Sequence, residues 1–428
     1  MSIVPNSWSV TPPVCTVLVA ALVAALLASL PAVAAPVGYG EYFLRADDVA
    51  EYSTVSVARA PASDVDQYAL QLQQAELLGG PYADGLAEPL AQMGNQLFAV
   101  GNYPAAVATY RRALHILRVN DGLYSERQLP VLRQLILAFR ETRDWETLDE
   151  RYEYFFRVYG QGQAPYTEVR MRAALEYLRW QREALHLKLG EKSRRLLDLI
   201  ALNERLVREL MSDPAAPDLW KREFVTSQME NFYLIRDVLQ PYIQQAEFSN
   251  SKDIFGAKPL ALDIEQQRMS MMLRSAPAKG RQVLQDLRLL AGDDVLESAR
   301  IDLHLGDWYH WNGNRYRAAQ AYTSVEEQLR AAGEEEVLAQ WLGQPVELPA
   351  NGAFVRPPSS DQTGNVRARF DVSSQGDVRD IQATAVEGME VDTSLFRRRL
   401  AATLFRPRWE GGRPVASSGI ERNYQILP

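Results

Sequence analysis

The sequence is poor in three kinds of side chain, and each shortage closes off a class of chemistry. Cys15 is the only cysteine in 428 residues and lies inside an N-terminal apolar run. Without that run the chain has no thiol, which excludes disulfides, Cys-ligated metals and Cys nucleophiles together. It also suits an oxidising compartment, where a stray thiol is a liability. Histidine is scarce: His115, His186, His304 and His310 are the only four. His304 and His310 are six apart, so on one helix they point about 120° away from each other, a poor arrangement for two metal ligands. They read as core or surface histidines. Positive charge is not in excess either. The formal net charge is −8, which argues against a nucleic-acid binder. Lysine occurs only between Lys188 and Lys279, and arginine supplies nearly all the rest.

No His-Glu-x-x-His, Gly-rich phosphate loop or Gly-x-Ser-x-Gly elbow is present. The stretch DLHLGDWYHW gathers Asp302, His304, Asp307 and His310, but it also carries the hairpin residues described below, which explain it. Acidic pairs such as Asp293-Asp294 and the run Glu334–Glu336 fall at helix starts, where negative charge is favourable. The sequence therefore assigns no catalytic, cofactor-binding or metal residue and no cofactor.

At the N-terminus no charged side chain precedes Glu41. Val14–Leu30 is apolar, Pro31 ends it, and small residues at Ala32, Ala34 and Ala35 follow. This reads as a secretory signal cleaved near Ala34 or Ala35, although only the α-amino group supplies charge ahead of it. The other reading is an uncleaved anchor. About 20 apolar residues span a bilayer, and Val14–Ala35 reaches that length if Pro31 is tolerated. Residues 1–35 are thus a signal peptide or an anchor, and 36–63 a lead-in segment.

From Asp64 to Leu342 the apolar residues recur with helical period, and two segments match. MGNQLFAVGNYPAAVATYRRAL (93–114) and LGDWYHWNGNRYRAAQAY (305–322) superpose Gly94 on Gly306, Gly101-Asn102 on Gly313-Asn314, Ala106 on Ala318 and Tyr110 on Tyr322. The spacing predicts a helical hairpin. A small residue lets two helices approach, Gly-Asn turns the chain, and the tyrosine is expected to pack into the next hairpin. Leu135–Phe155 is a worn copy, with Leu148 where alanine is expected. Helices between Tyr166 and Ile243 read as longer than repeat helices, and 248–259 as a loop. This pattern resembles the tetratricopeptide repeat, with Leu305, Gly306 and Tyr309 followed by Ala318 and Tyr322. The resemblance implies an irregular tetratricopeptide-like array over 64–342.

Residues 343–363 are rich in Pro, Ser and Gly and read as a linker. Beyond them the period becomes two. Val366, Ala368, Phe370 and Val372 face one way in VRARFDV, SSQGD turns on Gly376, and 378–386 is a second strand. Asp392 or Thr393 caps a helix whose buried stripe is Phe396, Leu400 and Leu404. Arg397–Arg399 lie off that stripe and read as a solvated face. Pro407 is expected to stop the helix, and the chain returns through Gly412, Pro414 and Val415 to a last strand ending in NYQIL. This β-β-α-β order over 364–428 resembles the C-terminal domain of TonB-type energy transducers. The resemblance implies an α+β domain in which Phe405 plugs the seam between sheet and helix, while Pro407 and Gly412 hold the return to the strand bearing Tyr424. It also implies a periplasmic setting in a Gram-negative envelope and pairing of a strand edge with a peptide of an outer-membrane receptor.

A mainly α chain of this kind is expected to be a non-enzymatic periplasmic adaptor binding protein or peptide partners and no nucleic acid. Contacts are expected near Tyr110, Arg111 and Trp308 on the array and near Tyr424 on the last strand. The alternative is an energy transducer in the inner membrane, facing the periplasm. That alternative needs an intact anchor, and a repeat array stands where a transducer has its Pro-rich spacer.

Overall fold

The computed structural model describes residues 64–250, 260–348, 366–386 and 392–424. The N-terminal 63 residues, and with them both readings of the apolar run, lie outside the described residues. Twelve described helices come first: α1 (Asp64–Gly79), α2 (Ala87–Ala99), α3 (Tyr103–Asp121), α4 (Leu129–Glu141), α5 (Trp145–Val158), α6 (Glu168–His186), α7 (Lys192–Ser212), α8 (Asp218–Asn250), α9 (Leu260–Ala291), α10 (Val295–Trp311), α11 (Arg315–Ala332) and α12 (Glu335–Leu342). Each packs on its neighbours in sequence. Of the loop expected at 248–259, Asn250 and the two residues before it continue α8, and 251–259 lie outside the described residues.

Three of the tight turns are built alike. Gly101, Arg143 and Gly313 take φ of 79°, 56° and 78°. The next residue in each donates its amide to the carbonyl five back: Asn102 to Leu97, Asp144 to Phe139, Asn314 to Tyr309, at 2.9, 3.0 and 2.8 Å. Its side chain then caps the following helix by accepting from Ala105, Thr147 or Arg317. A left-handed residue followed by a capping residue closes one helix and opens the next within two positions. Arg143 fills the left-handed slot of the worn copy, at a cost of roughly 1–2 kcal/mol relative to glycine.

The two matched hairpins close on the same contact. A Cβ on Gly94 would lie 2.5 Å from Cε1 of Tyr110, and one on Gly306 would lie 2.5 Å from Cε1 of Tyr322. Each tyrosine therefore folds back on the glycine of its own hairpin and not into the next one, contrary to the expectation from the pattern. The missing side chain makes a bed for the ring, and the hydroxyl bonds one residue further on. Tyr110 donates to Asn95 at 2.8 Å and Tyr322 to Asp307 at 2.9 Å. Ala106 and Ala318 are buried beside them. Tyr309 lies half-buried under the guanidinium of Arg317, 5.7 Å from its ring centre. In the worn copy Tyr152 occupies the tyrosine position and stacks on Trp180 of α6 at 4.7 Å.

Helices α7 and α8 run 21 and 33 residues, as expected of the stretch from Tyr166 to Ile243, and α9 beyond that stretch runs 32. Pro277 sits inside α9, and its carbonyl accepts from Nε1 of Trp308 at 2.9 Å. Buried ion pairs cross between alternate helices. Arg133 and Arg140 of α4 meet Glu176 and Glu183 of α6, and Arg182 of α6 meets Glu230 of α8 at 2.6 Å.

The C-terminal region holds β1 (Val346–Glu347), β2 (Val366–Val372), β3 (Val378–Ala385), α13 (Thr393–Ala402), β4 (Phe405–Arg406), β5 (Arg408–Glu410), β6 (Arg413–Val415) and β7 (Ser417–Tyr424). An antiparallel sheet runs in the order β3-β2-β7. Asp392 caps α13 by accepting from the amides of Ser394 and Leu395. Phe396, Leu400, Phe405, Phe370 and Tyr424 form its core with the inward residues of β2. Phe405 fills the seam, 5.5 Å from the ring of Phe370. Gly376 turns the β2–β3 hairpin at φ 84°.

Three expectations are corrected here. The helix ends at Ala402, so Leu404 leaves the helical stripe and bridges Asp377, and buried Pro407 separates β4 from β5 instead of stopping the helix. Gly411 and Gly412, at φ 58° and 73°, turn a separate β5–β6 hairpin ahead of β7. Two residues with positive φ match the twist of such a ribbon. Exposed Pro414 and half-buried Val415 lie on its second strand. Finally, the segment 343–363 is not linker throughout: Val346 and Glu347 are a strand paired with Arg406 and Phe405.

If the Gly–Tyr contact closes these hairpins, Gly94→Ala and Gly306→Ala each cost about 1–3 kcal/mol through overpacking, although alanine is the better helix former by about 1 kcal/mol. Urea unfolding decides the matter: a stabilised variant means that propensity governs and the contact does not.

Candidate functional site

Buried polar contacts join the sheet domain to the α10–α11 hairpin. Asp307 follows the glycine on which Tyr322 rests, so α10 delivers its carboxylate to the base of the hairpin. Arg406 on β4 reaches it from 99 residues away, with Nη1 at 2.9 and 3.2 Å from the two carboxylate oxygens. Both side chains are buried, at 4% and 7% exposure. Burial pushes Asp307 above the usual carboxylate range, and Arg406 and the Tyr322 hydroxyl pull against it.

Four further contacts surround this pair. Nε2 of His310 lies 3.1 Å from the carbonyl of Phe405. Because a carbonyl only accepts, Nε2 carries the proton. Gly376 sits against both groups. It accepts the amide of Phe405 at 2.9 Å, and an added Cβ would collide with the Phe405 carbonyl and come 2.7 Å from His310 Nε2. Glu326 of α11 accepts the amides of Gly411 and Gly412 at 3.1 and 2.7 Å, holding the glycine turn onto the helix. Trp409 packs 5.3 Å from Tyr322 and joins the small core of α11 and α12.

On the other side β1 is clamped. Arg422 of β7 lies 2.7 Å from Glu347 and donates to the Pro345 carbonyl, while the Tyr424 hydroxyl donates to Glu347 at 2.5 Å. Burial first, then Glu347, raises the Tyr424 phenol well above its normal pKa. The sheet domain is thereby built onto the array by a strand, two buried acids and an aromatic seat.

The residues singled out in the sequence divide accordingly. Gly306, Tyr322, Gly376, Phe405 and Gly412 all stand at this junction. Gly94, Ala106 and Tyr110 form the equivalent hairpin far from it. Tyr110, Trp308 and Tyr424 are themselves buried, so surface contacts expected near them fall to their exposed neighbours; Arg111 is exposed. Glu326, Glu347, Arg406, Trp409 and Arg422 were missed, and Asp307 and His310 were noted only in a stretch put down to the hairpin. Of these Asp307 had a signal, since it stands where the other copy has Asn95.

Among the described residues, two open surfaces lie beside this junction. Strand β3 has β2 as its one strand neighbour among the described residues, and Arg379, Asp380, Gln382, Thr384 and Ala385 are exposed along it. Opposite Phe370 the strand bulges at Asp380 and Ile381, with Asp380 at φ 52°. The other surface is a cavity of about 690 Å³ between α6, α8, α10, α12 and the β1–β4 pair. Arg397 and Arg398 of α13 are exposed, as expected of a solvated face, while Arg399 is half-buried. Among the described residues no helix is long and apolar enough to cross a membrane, and no cluster of His, Cys, Asp or Glu could hold a metal ion. The chain matches no protein-family model, and no curated protein matches it.

Breaking a buried ion pair from one side costs about 3–5 kcal/mol, because the remaining charge stays buried. Arg406→Met is expected to lose that much in urea unfolding and to speed amide exchange in β4–β6. Asp307→Asn recreates the Asn95 arrangement, so the double variant should be more stable than Arg406→Met alone. Equal loss in both would mean that the ion pair is not coupled.

His310 supplies a pH dependence. Burial lowers its pKa to about 4, and the Phe405 carbonyl opposes only part of the shift. The unfolded imidazole takes a proton near pH 6.5 and the folded one resists, so the stabilisation is full above 6.5 and is lost as pH falls towards 4. The shift corresponds to about 3 kcal/mol. His310→Gln keeps a donor towards Phe405, so the difference in urea midpoint between it and wild type should narrow across that window. A constant difference from pH 7 to 4 would show that the imidazole does not titrate there.

Proposed function

We propose that this chain is a non-enzymatic envelope adaptor. On this reading a tetratricopeptide-like array and a TonB-like sheet domain form one rigid body, exported to the periplasm, that binds protein partners. One strand edge, β3, is open to strand addition by an extended peptide. The observation that carries the reading is the junction itself. A transducer domain works on a long spacer, whereas here Arg406, Glu326 and the β1–β4 pair tie the sheet to the helices. Matched glycine–tyrosine hairpins and the left-handed-plus-cap turns support the repeat reading. The strand order, Gly376, Phe405 and the closing strand support the TonB likeness. An inner-membrane transducer acting on an outer-membrane receptor is the second reading, favoured only by that likeness and by the length of the apolar run.

The test uses the full chain with a C-terminal tag, in a Gram-negative host. Mass spectrometry of the mature N-terminus is expected to find a start near Ala35 or Pro36 and a soluble periplasmic product. A photocrosslinker at Gln382 or Thr384 should then capture a protein strand that one at Arg398 does not. A membrane-bound product retaining Val14–Leu30 would favour the transducer, and equal capture at all three positions would remove strand addition.

A further inference from the structure

The cavity beside the junction has a charge pattern that specifies a ligand. Its walls carry five arginines and five acids. Three arginines are matched within it: Arg182 by Glu230 at 2.6 Å, Arg300 by Glu297 at 3.0 Å and Arg406 by Asp307 at 2.9 Å. Glu347 is matched from outside by Arg422 at 2.7 Å. Arg179 acts electrostatically on Glu223, lowering the pKa that burial raises. His304 adds no charge, because burial together with Arg406 and Arg300 lowers its pKa to about 3.

Arg222 of α8 is then left over. It donates one N–H to the Leu290 carbonyl at 2.6 Å and has no carboxylate partner among the described residues. A half-buried guanidinium with spare donors favours a carboxylate, which it can grip with two parallel hydrogen bonds. A single surplus charge suits a monoanion; a dianion would add an unmatched negative charge beside four glutamates. Between the charges the walls mix Thr226, Ser227 and Gln340 with an apolar set, Leu175, Leu287, Leu303 and Trp341, and Leu219 is left 61% exposed. A space of about 690 Å³ falls within the range of small-ligand sites.

We infer that this cavity binds the carboxylate of a monoanionic ligand with an apolar body, Arg222 gripping the carboxylate and the leucines and Trp341 taking the body. A free organic acid and the C-terminus of an apolar peptide share that chemistry. Because Val346, Leu348 and Arg406 belong to the wall, the site is complete only when the sheet domain is docked. The inference stands whether or not β3 recruits a strand.

Calorimetric titration of the full-length mature chain at constant ionic strength tests it. The probes are acetyl-Ala-Ala-Leu as the free acid, the same peptide as its C-terminal amide, and hexanoate. The peptide acid is expected to bind at least tenfold more tightly than the amide, and Arg222→Ala to abolish that preference while Arg397→Ala leaves it intact. Binding of hexanoate alone, lost in Arg222→Ala, would also support the site and assign it to free acids. Equal binding of acid and amide by the wild-type chain, no binding of any probe, or a preference that survives in Arg222→Ala would overturn it. The acid–amide comparison needs no variant, so a misfolded Arg222→Ala does not protect the inference.

Discussion

The buried pair Asp307–Arg406 is the constraint on which the arrangement of this molecule rests. A carboxylate and a guanidinium each below a tenth exposed cannot be separated without leaving a charge in a low-dielectric setting, which is far costlier than the pair is stabilising. The pair therefore acts less as glue than as a rule about geometry. It holds β4 against α10, and the neighbouring contacts agree with that placement. Gly376 has no side chain because the Phe405 carbonyl is there. Glu326 faces the glycine turn because the β5–β6 ribbon follows β4 directly. Trp409, next but two after Arg406, falls on Tyr322, the residue that also bonds Asp307.

The two halves differ in how they became legible. The helical hairpins are local, and their grammar is short: a left-handed residue, a capping side chain, a glycine facing a tyrosine. Gly101-Asn102 and Gly313-Asn314 could be read off because glycine advertises the left-handed slot. Arg143-Asp144 uses the same backbone with no such sign, so the worn copy showed its helices and a turn near Trp145 but not the left-handed residue that makes it. The direction of Tyr110 was misjudged for a related reason. Spacing shows which residues share a helix face but not whether a ring folds back or reaches on.

The sheet domain was legible as alternating strands, a capped helix and glycine turns, all of them properties of a few consecutive residues. Its attachment was not. Arg406 lies between Phe405 and Pro407, and nothing in that tripeptide announces a partner 99 residues earlier. Val346 and Glu347 were hidden by composition, since Pro-rich neighbours suggest a linker whether or not two residues in it pair. One clue was available. Where the first hairpin offers Asn95 to its tyrosine, the second offers Asp307, and an acid that the hairpin buries beside its tyrosine demands a cation.

The consequence is mechanical. A strand added at β3 would be hydrogen-bonded to a sheet whose β2–β3 turn, through Gly376, touches both Phe405 and His310. Load on that edge would pass to α10 at the His310 contact and to α11 through Glu326, with no free chain between. The same route runs backwards. Filling the cavity that Arg406 and β1 help to wall would favour the docked sheet domain, because a ligand bound only to the docked form stabilises that form. Two surfaces coupled in this way need neither a hinge nor a spacer. What they require is that the acid at 307 and the arginine at 406 stay together.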